Sequence, residues 1–395
     1  MKRKIILIVL DGAGDKGKNT PFQTASKPNI DSLASRGVCG LIDIGYKKYV
    51  ESDIGYMTLL GFFTKEYYTG RGYLEALGLN LKPKEGELCI RGNFATLDSN
   101  GNVTDRRAGR EETGLEEVCE ELDGMEIDGV RFHVRKGAGH RVVIMMEGKL
   151  SMDVVPNDPK LEGKPLPQIG STSPAGKKTA SVLNKFLYRA RKIITESHIN
   201  GKRKVPTNTI IIRNFGMRKD GPSFEETYGM SGACVAGVPI AKGISRYLGI
   251  RTVDVPGATG SIDTDLKAKL EKTIDMHKKY DFVWLHINGT DILSHDARRE
   301  EKAKFIEKID REVVGKLIKA VDMKSTTIVI TCDHRTDSEK DYKYYRHTND
   351  PVPALVSGAG VEPGRVTKFD EYSCEKGSFV IKGNGLIPYV LRVSK

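Results

Sequence analysis

The sequence predicts an α/β protein built on a doubly wound, mostly parallel sheet that carries an inserted, smaller α+β domain. Three observations predict it. Apolar, β-branched runs at 4–10, 281–287 and 326–332 lack polar alternation, as strands covered on both faces do. Strand and helix patterns alternate from 209 to 333, as in βαβ units. Between about residues 82 and 170 the pattern changes to period-two alternation with many glycines, turn pairs and dense charge, which reads as an antiparallel insertion. The larger domain is therefore expected over 1–82 and 171–395, and the inserted one over 83–170.

The elements follow in order. The run at 4–10 ends in Asp11-Gly12, and 20–37 reads as a loop and a helix with Asn29 as N-cap and Gly37 as C-cap. A short strand is expected at 38–44, and Ser52-Asp53 opens an apolar helix over 54–63. Alternation places strands at 88–97, 130–134 and 141–146. A linker-like stretch at 170–176 leads to a long helix over 178–197, an exposed basic loop at 201–204 and a buried strand at 209–213. Helices at 233–248, 266–279 and 303–318 then alternate with strands at 252–255, 281–287 and 326–332.

Composition limits the function. A chain of 395 residues exceeds what one hydrophobic core usually serves. Hydrophobic content of 38%, charged content of 29% and 42 glycines fit a soluble, loop-rich enzyme and exclude a fibrous or disordered chain. No apolar run approaches the roughly 18 residues that cross a bilayer, so no membrane association is expected. Lys2-Arg3-Lys4 before an apolar run mimics an export signal, but the run is short and Asp11 and Asp15 stand where a cleavage site would be. A cytoplasmic protein is expected. The six cysteines, Cys39, Cys89, Cys119, Cys234, Cys332 and Cys374, are widely spaced and read as reduced thiols. The net charge of +11 points to an anionic partner. No basic stretch is interleaved with aromatics, so a small, doubly charged substrate is expected rather than nucleic acid.

In open α/β sheets ligands bind beyond the carboxyl ends of the strands. The three apolar runs deliver Asp11, Asp291 and Asp333-His334 there. Taken alone, Asp333-His334 reads equally as a helix-capping acid beside a surface histidine; three carboxylates at the same kind of place read as a site. Asp291 and His295, spaced i, i+4, share a face if their loop is helical, and His347 follows as a third candidate. Two adjacent cation sites can be built, one from Asp11, Ser52, Asp333 and His334 and the other from Asp291, His295 and His347. Carboxylate and imidazole without thiolate suit manganese, cobalt, zinc or magnesium. Two cations about 3.5–4 Å apart can clamp an in-line phosphoryl displacement and activate a serine hydroxyl. Ser52 is thus either an ordinary N-cap or a phosphate-accepting nucleophile. Arg71, Arg106, Arg107, Arg110 and Arg141, with His140 and Asp158 beside them as further substrate-binding candidates, read either as a solvated face or, through the arginine forks, as bidentate recognition of carboxylate and phosphate. Lys242 reads either as solvated or as facing the substrate.

The order Asp11-Gly, Ser52, Asp291-x-x-x-His295, Asp333-His334, His347 resembles the alkaline phosphatase superfamily. More closely, the chain is similar to the archaeal type of cofactor-independent (2,3-bisphosphoglycerate-independent) phosphoglycerate mutase. The resemblance is carried by Ile8-Val-Leu-Asp-Gly12, Tyr67-Tyr-Thr-Gly-Arg-Gly72 with Glu75-Ala-Leu-Gly78, Arg91-Gly-Asn-Phe-Ala-Thr96 and Thr104-Asp-Arg-Arg-Ala-Gly-Arg110. Ser223-Phe-Glu-Glu226, Gly257-Ala-Thr-Gly260 and Asp350-Pro-Val-Pro353 extend it over nearly the whole chain. It implies interconversion of 3- and 2-phosphoglycerate in glycolysis and gluconeogenesis, through a phosphoserine on Ser52. It further implies two divalent metal ions, manganese foremost, no 2,3-bisphosphoglycerate, and an inserted domain acting as lid and cationic clamp. The nucleophile segment departs, above all at Glu51 and Tyr56: Glu51-Ser-Asp-Ile-Gly-Tyr56 stands where archaeal relatives usually show Gly-Ser-Asp-Thr-Ala-His. A phosphomonoesterase or related hydrolase on the same scaffold, or a paralogue that binds phosphorylated metabolites without turnover, would share these residues. The oligomeric state, a homo-oligomer included, stays open.

Overall fold

The apolar runs become neighbours in one sheet. In the computed structural model, which describes residues 4–47, 49–339 and 346–394, eight strands form that sheet. They are β1 (Lys4–Leu10), β2 (Val38–Asp43), β3 (Gly232–Val235), β4 (Arg251–Val253), β5 (Phe282–Ile287), β6 (Thr326–Thr331), β7 (Val352–Gly358) and β8 (Phe379–Lys382). Their spatial order is β4-β3-β5-β1-β6-β7-β2-β8. Only β7 runs antiparallel to its neighbours. The central strands β5, β1 and β6 are apolar on both faces because both faces are covered. Their register aligns Val9 of β1 with His286 of β5 and Thr331 of β6, so the three carboxyl ends lie side by side. No helix among the described residues is long and apolar enough to cross a membrane.

The chain divides into two compact units, Met1–Tyr67 with Gly221–Lys395, and Tyr68–Asp220. These boundaries fall outside the expected 82/83 and 170/171 on both sides. The reason lies in long-range pairing. The strand Thr209–Gly216, expected beside the parallel sheet, instead pairs antiparallel with Leu88–Leu97, which also pairs with Arg141–Met146. The helix Gly176–Glu196 buries Leu183, Phe186 and Ile194 in the core of that second sheet, with Phe186 stacked on Phe132 at 4.1 Å between ring centroids.

Two local expectations are corrected. The stretch expected as one helix over 233–248 is the strand β3 followed by the helix Pro239–Tyr247. Ala233-Cys234-Val235 is wholly buried between β4 and β5, and Pro239 can only open a helix. The early helix runs Pro28–Ser35 with Lys27, not Asn29, at its N-cap. Asn29 instead donates its side-chain amide to Asp310 at 2.7 Å. Gly37 lies beyond the cap, where a Cβ would meet the Val356 carbonyl at 2.3 Å; close approach to β7 is what requires glycine there.

Candidate active site

Asp11 follows β1 directly, and Asp333 lies two residues beyond β6. After β5, the helix α2 (Gly289–His295) carries Asp291 and His295 on one face. Ser52 is the first residue of α1 (Ser52–Leu59), whose first-turn N–H groups lack intrahelical acceptors. The expected metal residues therefore gather at one end of the sheet. Ligand atoms of Asp11, Asp291 and His334 lie within 4.8 Å of one another, as do those of Asp291, His295 and His347. Asp291 belongs to both groups, where the sequence reading gave it to one. Asp333 lies against the first group, its Oδ2 3.2 Å from His334 Nε2, and its Oδ1 accepts the Gly12 N–H at 3.0 Å.

Hydrogen bonds fix the imidazoles. Thr336 donates its hydroxyl to Asp291 Oδ1 at 3.0 Å, so at 2.9 Å it accepts from His334 Nδ1–H. The other nitrogen of neutral His334, Nε2, is then bare and faces Ser52 Oγ at 3.3 Å. His347 donates Nδ1–H to the Val50 carbonyl at 2.8 Å and turns its Nε2 toward Asp291 Oδ1 at 3.4 Å, where a bound cation would take the place of a proton. His334 and His347 stack at 3.8 Å between centroids.

The charges are out of balance. Burial, and then the charge of Asp11, push the Asp333 carboxyl well above the usual carboxylate range. Burial, with His347 next, holds His334 well below the usual imidazole range. For Asp291, burial favours the neutral acid, but His295 and His347 together hold its carboxyl well below the ordinary value. Burial also opposes charge on His347, yet Asp291, aided by Glu51, raises it to about 9. Asp11 Oδ1 and Asp333 Oδ2 are buried acceptors without a hydrogen-bond donor. Three buried carboxyl groups, two of them with an orphaned oxygen, beside imidazole nitrogens turned toward them are a donor set that fits divalent cations.

The clamp candidates lie in the second unit. Glu75 sits between Arg71 and Arg91, with Nε of each at 2.8 and 3.0 Å from its Oε1, and they hold its carboxyl at about 2 although burial works the other way. Burial, then Arg141, Arg107, Arg91 and Arg110, drive His140 down to about 2, which leaves it neutral among guanidinium groups. Arg106 grips Asp158 through two bonds from Nη2, at 2.7 and 2.8 Å, and Arg213 reaches the same carboxylate at 3.0 Å. Asp158 is thus an anchor for two arginines. Arg106, Arg107 and Arg110 line a cavity of about 480 Å³ with Lys160. Lys242 is outside this group: its ammonium is bonded to Asp254 at 2.8 Å.

The chain can now be set beside known proteins. The sequence profile described as 2,3-bisphosphoglycerate-independent phosphoglycerate mutase matches residues 34–200. A protein of that name from Thermoplasma volcanium is 38% identical over 409 residues, covering 99% of this chain and 97% of its own. The chain belongs to the 2,3-bisphosphoglycerate-independent phosphoglycerate mutase family. A further member of that name, from Methanococcus aeolicus, is 36% identical and covers 98% of this chain and 97% of its own. Among solved structures, a Pyrococcus horikoshii protein superposes with a TM-score of 0.83 at 29% identity, covering 100% of this chain and 98% of its own. The cofactor-independent phosphoglycerate mutase of Thermoplasma acidophilum gives 0.67 at 34% identity, with 100% of both chains covered.

Some site residues escaped the sequence reading. Thr336, which orients His334, carries no distinguishing signal. His286, wholly buried in β5, accepts or donates at 2.6 Å to Tyr56, whose hydroxyl also donates to Asp11. A histidine inside an otherwise apolar run was the available clue, since a buried imidazole needs a partner.

Proposed function

We propose that this protein, as a cytoplasmic enzyme, interconverts 3-phosphoglycerate and 2-phosphoglycerate through a phosphoryl group carried on Ser52, without 2,3-bisphosphoglycerate. Family membership supports the reaction. The observation that carries the Ser52 reading is its Oγ 3.3 Å from the bare Nε2 of His334, at the open end of α1. Asp11, Ser52, Asp333 and His334 would hold one divalent cation, and Asp291, His295 and His347 the other, with Asp291 near enough to serve both. Manganese is the first choice for both. Such cations, when bound, neutralise phosphoryl charge and lower the pKa of a coordinated hydroxyl.

The protein's own groups do the rest. Ser52 Oγ and His334 Nε2, 3.3 Å apart, would face the same cation, and the proton that Oγ sheds as it attacks passes to the oxygen the substrate releases. The substrate O–P bond breaks as the Ser52 O–P bond forms, and the released hydroxyl takes a proton. In the second half the other hydroxyl of glycerate attacks the phosphoserine, and Ser52 recovers its proton. First-turn N–H groups of α1 face the anion. Arg71, Arg107, Arg110 and Arg141 would bind carboxylate and phosphate, with Arg106 held by Asp158. We assign the lid and clamp role to the second unit.

The test is a coupled assay on metal-stripped protein resupplied with each divalent cation, with free phosphate followed in parallel. The reading requires metal-dependent isomerisation with little phosphate release and its loss in Ser52→Ala. Phosphate release without isomer would make the protein a phosphomonoesterase instead.

A further inference from the structure

We infer that Tyr56 and His286 form a positioning relay that holds Asp11 as a one-oxygen ligand for its cation. The inference rests on the assignment of Asp11 to a cation site. Tyr56 Oη donates to Asp11 Oδ2 and lies 2.6 Å from His286 Nε2. A phenol has one proton, and the carboxylate takes it. His286 must therefore supply Nε2–H to the phenol oxygen, as a neutral imidazole with bare Nδ1. The surroundings agree: His286 Nδ1 is buried without a partner.

The relay is itself braced. The Tyr56 ring meets Trp284 edge to face at 5.3 Å and His286 at 5.1 Å. Lys269, fully buried on the helix Leu266–Lys279, bonds the His286 carbonyl at 3.1 Å. A carboxylate free at both oxygens can chelate through either or both. Here Oδ2 is taken by the phenol, while Oδ1 is buried and without a donor. Asp11 is left with one oxygen to offer, in one orientation. Among the described residues the side chains of Tyr56 and His286 bond neither Ser52 nor His295 nor His347, so their effect should be confined to the cation that Asp11 holds.

The measurement is a manganese titration of EDTA-stripped protein, read by calorimetry and by the electron paramagnetic resonance of free Mn²⁺. Tyr56→Phe keeps the ring against Trp284 and deletes the hydroxyl. One of the two Kd values is expected to rise about 10–100-fold, the range for losing a partner of a metal ligand, while the other stays put. His286→Phe, a second route to the same break, should weaken the same site. In an Asp11→Asn background Tyr56→Phe should add nothing, because the relay acts only through that carboxylate. Unchanged manganese affinity in both single variants, or an undiminished Tyr56→Phe effect in the Asp11→Asn background, overturns the relay. Wild-type protein that binds no divalent cation overturns the cation assignment itself and this inference with it. Because the readout is binding, a chain that binds two cations but does not isomerise phosphoglycerate would sink the proposed reaction and leave the relay standing.

Discussion

His295 and His347 meet nitrogen to nitrogen, Nε2 to Nε2 at 2.9 Å, with Asp291 at 3.4 Å from each. So close an approach needs an N–H turned from one ring toward the other, and a cation between them would displace that proton and take both lone pairs. His347 has already committed Nδ1–H to the Val50 carbonyl, so its Nε2 is the ligand atom. His347→Ala should therefore lower the number of tightly bound Mn²⁺ ions from two to one, the survivor held by the group around Asp11 and His334. Calorimetric stoichiometry decides it; two ions bound as in the wild type would remove His347 from the ligand set.

Gly55, one turn into α1, fixes how closely Ser52 approaches the end of β6. A Cβ there would meet the Asp333 carbonyl oxygen at 2.6 Å and Asp333 Cβ at 2.8 Å, and both are too close. The neighbours that would have to yield are backbone and a buried side chain, so α1 must move instead. Gly55→Ala should cost about 1–3 kcal/mol of stability, the usual scale of overpacking, and reduce kcat as Ser52 is displaced from His334. Thermal unfolding and single-turnover transfer measured together test this. A fully active variant of unchanged stability would show that α1 has slack.

The sheet, and the gathering of Asp11, Asp291, Asp333 and His334 at one end of it, were legible because their signals are local. An uninterrupted apolar run marks a central strand, and the carboxylate just past its end is marked by the run itself, as with Asp11 and Asp333. Positions set by pairing at a distance were not legible. Nothing in 209–213 tells a strand beside β5 from one beside Leu88–Leu97, so the larger unit was drawn too wide. The Tyr56–His286 contact depends on register that aligns His286 with Val9, and on the approach of α1 that Gly55 permits. Asp158 looked like a substrate contact because an acid among arginines reads the same way whether it holds them or competes with their ligand.

Glu75 gives the second unit an acid-sensitive joint. Its folded pKa, about 2, lies below the ordinary glutamate value of 4.5, so the unfolded chain binds the proton more readily. The stabilisation is fully present above about pH 4.5 and is lost as pH falls toward 2, with a size on the order of 3 kcal/mol. Glu75→Gln should unfold at lower denaturant concentration at pH 7, and its stability should fall less steeply than the wild type's on acidification. Parallel acid limbs for the two proteins would mean that the carboxylate is not coupled to Arg71 and Arg91 as the geometry implies.

Lys302, on the helix Arg299–Ile309, has no exposed surface and bonds Asp15 Oδ2 at 3.0 Å, the Gly14 carbonyl at 3.2 Å and the Thr336 carbonyl at 3.1 Å. Asp15 is further held by Arg299 at 3.1 Å and by the Ser338 hydroxyl at 2.6 Å. The ammonium thus ties the loop after β1, which begins with Asp11, to the loop after β6, which carries Asp333, His334 and Thr336. Removing one partner of a buried ion pair strands the other and typically costs about 3–5 kcal/mol. Arg299 still faces Asp15, so Lys302→Met should fall at the lower end of that range. The loss should not be purely one of stability: with the loops untied, Mn²⁺ affinity should drop at temperatures where the variant is still folded. Urea unfolding and manganese titration on the same preparation separate the two effects. A variant that loses stability yet binds both cations as tightly as the wild type would confine Lys302 to holding the fold.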